Sequence, residues 1–230
     1  MEFALLGWPD EGPTLRLDYR TFSYAGKFVM STTGKAVVRD PTLASDDATS
    51  ASADPPSTVD PSVFEDDVYA AVAFNEDRTD PGVLWLRYIT VHADHRGEEL
   101  APRLATFLAE RAEAHGYRRL RIAVNNPFAY HAMYKAGFAY TGRQTGLAEL
   151  VLERPGERDR PTYQCGLDEF RERDLSDEER AFLAAREGED PPDVVGLPAV
   201  DAEREDESDT TRELKARDGR SEDDGKRGPP

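Results

Sequence analysis

Between Val68 and Arg154 the apolar positions change their period several times, and each change marks an element. The run VYAAVAFN from Val68 reads as a short apolar strand, NEDRTDPG as a turn, and VLWLRYITV as a second strand rich in β-branched and aromatic residues, so the two form a hairpin. After a turn at His95 to Gly97, Leu100, Leu104, Phe107, Leu108 and Ala112 recur at helical spacing, and Gly116 stands where a C-terminal cap belongs. Pro102 falls in the first turn of that helix, where a missing N–H does no harm. RRLRIAV then alternates Leu120, Ile122 and Val124 as a strand, Asn126 caps a helix that begins at Pro127, and Gly137 closes it. FAYTG and GLAELVLER finish as two further strands. This order sets the strands ending at Val91 and Val124 parallel through a right-handed crossover, which defines an α/β core with an antiparallel start.

The flanks are patterned less sharply. Residues 14–38 carry alternating Leu15, Leu17 and Tyr19 and read as strand with a short helix. Residues 41–66, rich in Pro, Ser, Asp and Ala, read as a surface loop. Beyond Pro155, Leu167, Phe170, Leu175, Phe182 and Leu183 fit one or two amphipathic helices, and from Pro191 too few apolar residues are left to offset the ordering entropy, so disorder is expected. The resulting division is a main domain over 1–155, a helical extension over 156–190 and an acidic tail over 191–230.

Charge narrows the partners. The 230 residues hold 46 Asp plus Glu against 29 Lys plus Arg, a formal net charge of -17. Such a field repels nucleic acid and anionic membranes, and no apolar run approaches the roughly 20 residues that span a bilayer. The cations are mostly arginine, with lysine only at 27, 35, 135, 215 and 226. Acid excess with scarce lysine resembles proteins of salt-loving archaea; an acidic disordered tail in an ordinary cell is the alternative. Cys165 is the only cysteine, which excludes an intrachain disulfide and a thiolate metal cluster, and a cytoplasmic location follows most simply. The oligomeric state is not readable.

Chemistry enters at VHADHRGEELAPRL, residues 91–104. The first N–H groups of a helix have no partner inside it, and the helix dipole adds about half a positive charge, so a helix start of this kind can hold an anion. Gly97 permits close backbone approach and Arg96 adds a cation. Many strand-to-helix turns contain Arg-Gly and bind nothing. His92, Asp94 and His95 suggest metal ligands but lack a partner of known spacing, so no metal is expected. His131 reads as a surface residue, and Cys165 as a small buried one.

The strand ITV, the turn HADHRG, its helix, the strand RIAV and then Asn126, Ala129, Tyr134, Gly137 and Phe138 together resemble the GNAT family of acyl-CoA-dependent N-acetyltransferases, over roughly Val68 to Glu153. The resemblance implies a mixed, mostly antiparallel sheet with one parallel strand pair and flanking helices. It also implies acetyl-CoA as co-substrate, its pyrophosphate cradled by backbone N–H groups over Arg96, Gly97, Glu98, Glu99, Leu100 and Ala101. The pantetheine arm would run beside Ile89 and Val91, near Asn126 and Ala129, and the same strand would supply an N–H to the oxyanion.

Two departures from the family pattern stand out. Glu99 occupies a place where the family has glycine; as a helix-start residue it is expected to have negative φ and to turn outward while weakening coenzyme binding. The proton donor to the leaving thiolate is commonly a tyrosine on the helix after the asparagine, and Tyr134 resembles it, one position later than usual, where Met133 holds the family place; packing against the strand is its other reading. Tyr130 is a weaker candidate. LWLRYITV carries no carboxylate to act as base, and none is assigned. The expected activity is transfer of an acetyl group by direct attack of a small-molecule or peptide amine. The alternative is a non-catalytic acyl-CoA-binding or regulatory protein of the same fold.

Overall fold

The computed structural model describes residues 1–43 and 64–197. The expected loop over 41–66 lies outside these residues for most of its length, and so does the tail expected to be disordered, from Pro198 on. Among the described residues seven strands form one sheet: β1 (Glu2–Gly7), β2 (Gly34–Arg39), β3 (Val68–Glu76), β4 (Val83–Val91), β5 (Arg119–Val124), β6 (Ala139–Gln144) and β7 (Leu150–Arg154), in the order β1-β2-β3-β4-β5-β7-β6. Only β4 and β5 are parallel, joined by helix α1 (Leu100–Ala114). Helix α2 (Pro127–Lys135) follows β5, and α3 (Arg160–Arg171) and α4 (Asp177–Ala184) follow β7. This is the α/β core with an antiparallel start that the pattern of the chain implies, and the mixed, mostly antiparallel sheet with one parallel pair and flanking helices that the resemblance implies. No helix among the described residues is long and apolar enough to cross a membrane.

The core has two parts, one on each face of the sheet. On the first, α1 buries Leu104, Phe107, Leu108 and Ala112 against Ala36, Val38, Ala70, Val72, Leu84 and Leu86, and Tyr130, Phe138, Tyr163 and Phe170 continue the layer. On the second, Leu15, Leu17, Phe22, Ala25 and Phe28 cover Val37, Ala71 and Ala73. That second layer corrects the expectation of a strand near Leu15 and Leu17. These residues form an irregular cover with one 3-10 turn at Ala25–Lys27, and only Gly34–Arg39 enters the sheet from this region. Their alternation answers to packing against a face rather than to a ladder. Strand β1, which no expectation included, pairs antiparallel with β2 as an edge strand.

Lys35 points into the second layer and has no exposed surface. Its Nζ donates to Met30 O at 2.6 Å, Thr33 O at 2.9 Å and Thr33 Oγ1 at 3.1 Å, which uses all three ammonium donors, and burial pushes the group down to about 8. It ties the 30–33 loop to the sheet.

The helical extension packs on α2. Asp159 caps α3 through Thr162 N–H at 2.7 Å, and Ser176 with Glu179 forms a capping box at the start of α4. Gly166 lies against the Tyr130 hydroxyl so closely that a Cβ there would sit 2.1 Å from the oxygen. Only glycine allows that approach of α3 to α2. Residues 191–197 also lie on the domain: Val195 N–H donates to Lys135 O at 2.8 Å, and Leu197 packs against the core.

Candidate functional site: an open strand pair leading to a nest of backbone donors

β4 and β5 pair only from Val83↔Arg119 to Leu86↔Ile122. Beyond that point β4 keeps β3 and leaves β5. The cause is a bulge: Ala73 pairs with Tyr88 and Phe74 with Leu86, so Arg87 is an extra residue on β4. An extra residue resets the alternation of the strand, which is why Leu84 and Leu86 before it and Ile89 and Val91 after it all face the helices.

The backbone past the bulge is available. His92 N–H donates to Tyr69 O at 2.8 Å, so by antiparallel alternation Thr90 and Tyr88 also turn to β3, and Ile89 and Val91 turn their N–H and C=O groups towards the β5 side. β5 has already parted there. A gap results, walled by Ile89 and Val91 on one side and by Ala123 to Asn126 on the other, and closed at one end by the pair Leu86↔Ile122. Asn126 and Ala129 are bound to each other at its far wall, since the Asn126 side chain accepts the Ala129 N–H at 2.8 Å and so caps α2.

The gap leads to the start of α1. From Gly97 to Ala101 no backbone N–H donates to a partner among the described residues. Gly97 has φ 89° and Glu99 φ 60°, both left-handed, while Glu98 between them is not. Alternation of hand turns successive N–H groups to one concave side, the geometry of an anion-binding nest. The Arg96 side chain stands exposed beside it and reaches Ser23 Oγ at 3.4 Å.

Glu99 departs from expectation here. Its φ is positive, which costs an L-residue roughly 1–2 kcal/mol and explains physically why glycine suits the position. Its carboxylate makes no capping bond; Oε1 takes a hydrogen bond from Lys135 Nζ at 2.5 Å, and Arg103 lies 3.8 Å from Oε2. That bond holds the Glu99 carboxyl below the usual range. Two cations beside the nest are thus engaged by an internal anion.

Tyr134 is placed away from the gap. It has no exposed surface, its hydroxyl accepts the Tyr140 N–H at 3.0 Å, and its ring packs against Tyr163 at 4.7 Å and Tyr130 at 4.9 Å under α3. The side chain therefore turns to β6 and α3. Tyr130 is equally buried and donates to Tyr163 O at 3.0 Å. Burial raises both hydroxyls above the ordinary phenol range. The stacking of Tyr130, Tyr134 and Tyr163 is not legible in the spacing of α2.

His131, expected at the surface, is half-buried, with Nδ1 2.7 Å from the Tyr163 hydroxyl. Burial, then the charges of Arg186 and Lys135, pull the imidazole down to about 4. The unfolded chain takes up this proton near 6.5 and the fold only near 4, so the fold loses stability as pH falls through that window. A His131→Gln variant is expected to lose less of its thermal midpoint between pH 7 and pH 4.5 than the wild type; equal losses would mean the imidazole is not held neutral. Cys165, expected to be buried, is exposed on α3. Among the described residues no group of three His, Cys, Asp or Glu side chains could hold a metal.

Residues 31–138 match the model of the Acetyltransferase (GNAT) family, and they contain the gap, the nest and α2. This part of the chain is similar to the acetyltransferase domains of the GNAT family. Solved structures of similar shape include an N-acetyltransferase from Staphylococcus aureus Mu50, 19% identical, covering 53% of this chain and 66% of that one with a TM-score of 0.38. The PaiA N-acetyltransferase from Thermoplasma acidophilum in complex with coenzyme A is 13% identical, covering 38% and 53% at a TM-score of 0.33. Tetrahymena GCN5 is 13% identical, covering 56% and 72% at a TM-score of 0.38. The chain thus spans just under two thirds of the first of these proteins and about half of the second. No curated protein matches the chain.

Proposed function

We propose that this protein transfers an acetyl group from acetyl-CoA to an amine by direct attack. The observation that carries the reading is the run of unpartnered N–H groups from Gly97 to Ala101, standing at the open end of a gap whose wall offers the free backbone of Ile89 and Val91. A pyrophosphate suits the nest, because five main-chain donors meet a diffuse negative charge without needing a particular side chain. An extended arm bearing amides suits the gap, where it replaces the strand partner that β4 has lost. The amine nitrogen then bonds to the acetyl carbon as the carbon–sulfur bond breaks; the nitrogen gives up one proton and the sulfur gains one. An N–H of β4 beside the carbonyl would stabilise the charge on its oxygen.

The buried Tyr134 and the absence of a carboxylate on β4 favour a second reading, binding of acyl-CoA without transfer. Calorimetric titration with acetyl-CoA, in low and in molar KCl, followed by thiol release with an amine panel, separates the two. Binding with release supports transfer, binding alone supports the second reading, and no binding by the folded protein sinks both.

A further inference from the structure

The closed end of the gap abuts a cleft on the opposite face of the sheet, of about 620 Å³, lined by Trp85, Arg87, Tyr88, Asn75, Asp77 and Arg78 among others. Most arginines nearby are already paired: Arg121 with Asp77 at 3.2 Å and Glu153 at 2.5 Å, Arg143 with Glu153 at 2.7 Å, and Arg118 with Asp80 at 3.2 Å. Arg87 and Arg78 form no ion pair with any described carboxylate. Arg87 is nevertheless oriented. Its Nε donates to Asn75 Oδ1 at 2.6 Å, and its guanidinium lies 4.9 Å from the Trp85 ring centroid, which leaves the outer N–H groups for something else.

Asp77 is the acid lining this cleft, and its charge is spent internally. It accepts Trp85 Nε1 at 2.6 Å, Thr79 Oγ1 at 2.6 Å, Thr79 N–H at 2.8 Å and Asp80 N–H at 3.1 Å, besides pairing with Arg121, and these bonds hold it far below the usual carboxylate range. The cleft is thus net positive on a chain whose formal charge is -17. Arg87 is also the bulge residue, two positions from Ile89, so its side chain stands where the gap stops and where an arm threaded from the nest would end.

We infer that the acceptor is an amine that also bears a carboxylate, such as a free amino acid or a peptide with a nearby acid group, and that Arg87 is the specificity-determining residue that binds this carboxylate. The inference rests on the transferase reading above. A guanidinium lying over an indole and fixed at Nε keeps its two outer N–H groups for a carboxylate, whereas a neutral or cationic amine leaves Arg87 without a partner. Among the described residues the other exposed sheet positions offer no such free, oriented cation.

The test pairs each candidate amine with its primary amide and follows thiol release from acetyl-CoA with the wild type, Arg87→Gln and Arg87→Lys, while acetyl-CoA affinity is measured separately. The expected result is a preference for the carboxylate form of about tenfold or more in kcat/KM. It should reside in KM, vanish in Arg87→Gln and return in part in Arg87→Lys, with acetyl-CoA affinity unchanged in all three. Equal use of the amides, or a preference that survives Arg87→Gln, overturns the inference and leaves the transferase reading intact. Intact acetyl-CoA binding without turnover of either form overturns both, and loss of acetyl-CoA binding in Arg87→Gln overturns the assignment of Arg87 to the acceptor.

Discussion

A Glu99→Gly variant is expected to bind CoA about tenfold more tightly at low salt, and the gain should shrink in molar KCl. Two physical effects add here. The substitution removes a carboxylate next to the nest and frees Lys135, whose Nζ is 2.5 Å from it, to face a phosphate. Both are surface electrostatic effects, and salt of about 1 M screens such interactions over roughly 3 Å. The substitution also relieves a left-handed φ of 60° in an L-residue. That relief, roughly 1–2 kcal/mol, is offset in part by loss of a half-buried ion pair worth about 1 kcal/mol, so the thermal midpoint should hold or rise slightly.

The control is Lys135→Met, which leaves the Glu99 carboxylate uncompensated and should weaken CoA binding. If Glu99→Gly leaves affinity unchanged while Lys135→Met lowers it, the lysine binds phosphate in spite of Glu99 and the competition described here does not exist. Calorimetry on the two single variants and the double variant, at two salt concentrations, resolves the coupling.

Tyr134→Phe is expected to cost about 1–3 kcal/mol of stability and to leave turnover near the wild-type value. The hydroxyl accepts the Tyr140 N–H at 3.0 Å in a site without solvent, and phenylalanine offers that donor nothing. An unsatisfied buried N–H carries a penalty of that order. Urea denaturation reads the stability, and thiol release under saturating acetyl-CoA reads the turnover. A loss of turnover of a hundredfold or more with unchanged CoA affinity would restore Tyr134 as proton donor and would require α3 to move off α2 during the reaction.

The contrast between Tyr134 and the nest shows where sequence reasoning reached. The strand-to-helix turn that holds Gly97, Leu100 and Ala101 is legible in the chain because local periodicity locates the end of one element and the start of the next. The φ of Glu99 is not legible in the same way, because a helix-cap residue can precede the helical dihedrals instead of sharing them. Tyr134 lay on the right helix, yet the direction of its ring depends on Tyr163, Phe170 and Gly166, which lie beyond residue 160 and pack by tertiary contact alone.

Arg87 was not singled out at all. An arginine in LWLRYITV looks like an ordinary outward residue, and the bulge that makes it special exists only relative to β3.

From sequence alone came the hairpin Val68–Val91, helix α1 with Pro102 in its first turn, the Asn126 cap, the parallel crossover and so the fold class, all of which follow from hydrophobic period and from the steric preferences of proline, glycine and asparagine. Only the tertiary structure decided that Leu15 to Phe28 covers a sheet face without joining the sheet, that β4 parts from β5 after Leu86, that Lys135 holds Glu99, and that Asp77 is paired with Arg121 while Arg87 has no carboxylate partner among the described residues. The physical reason is range. Periodicity and capping act within a few residues, whereas register, burial and charge pairing are settled by groups tens of residues apart, whose meeting depends on the whole core.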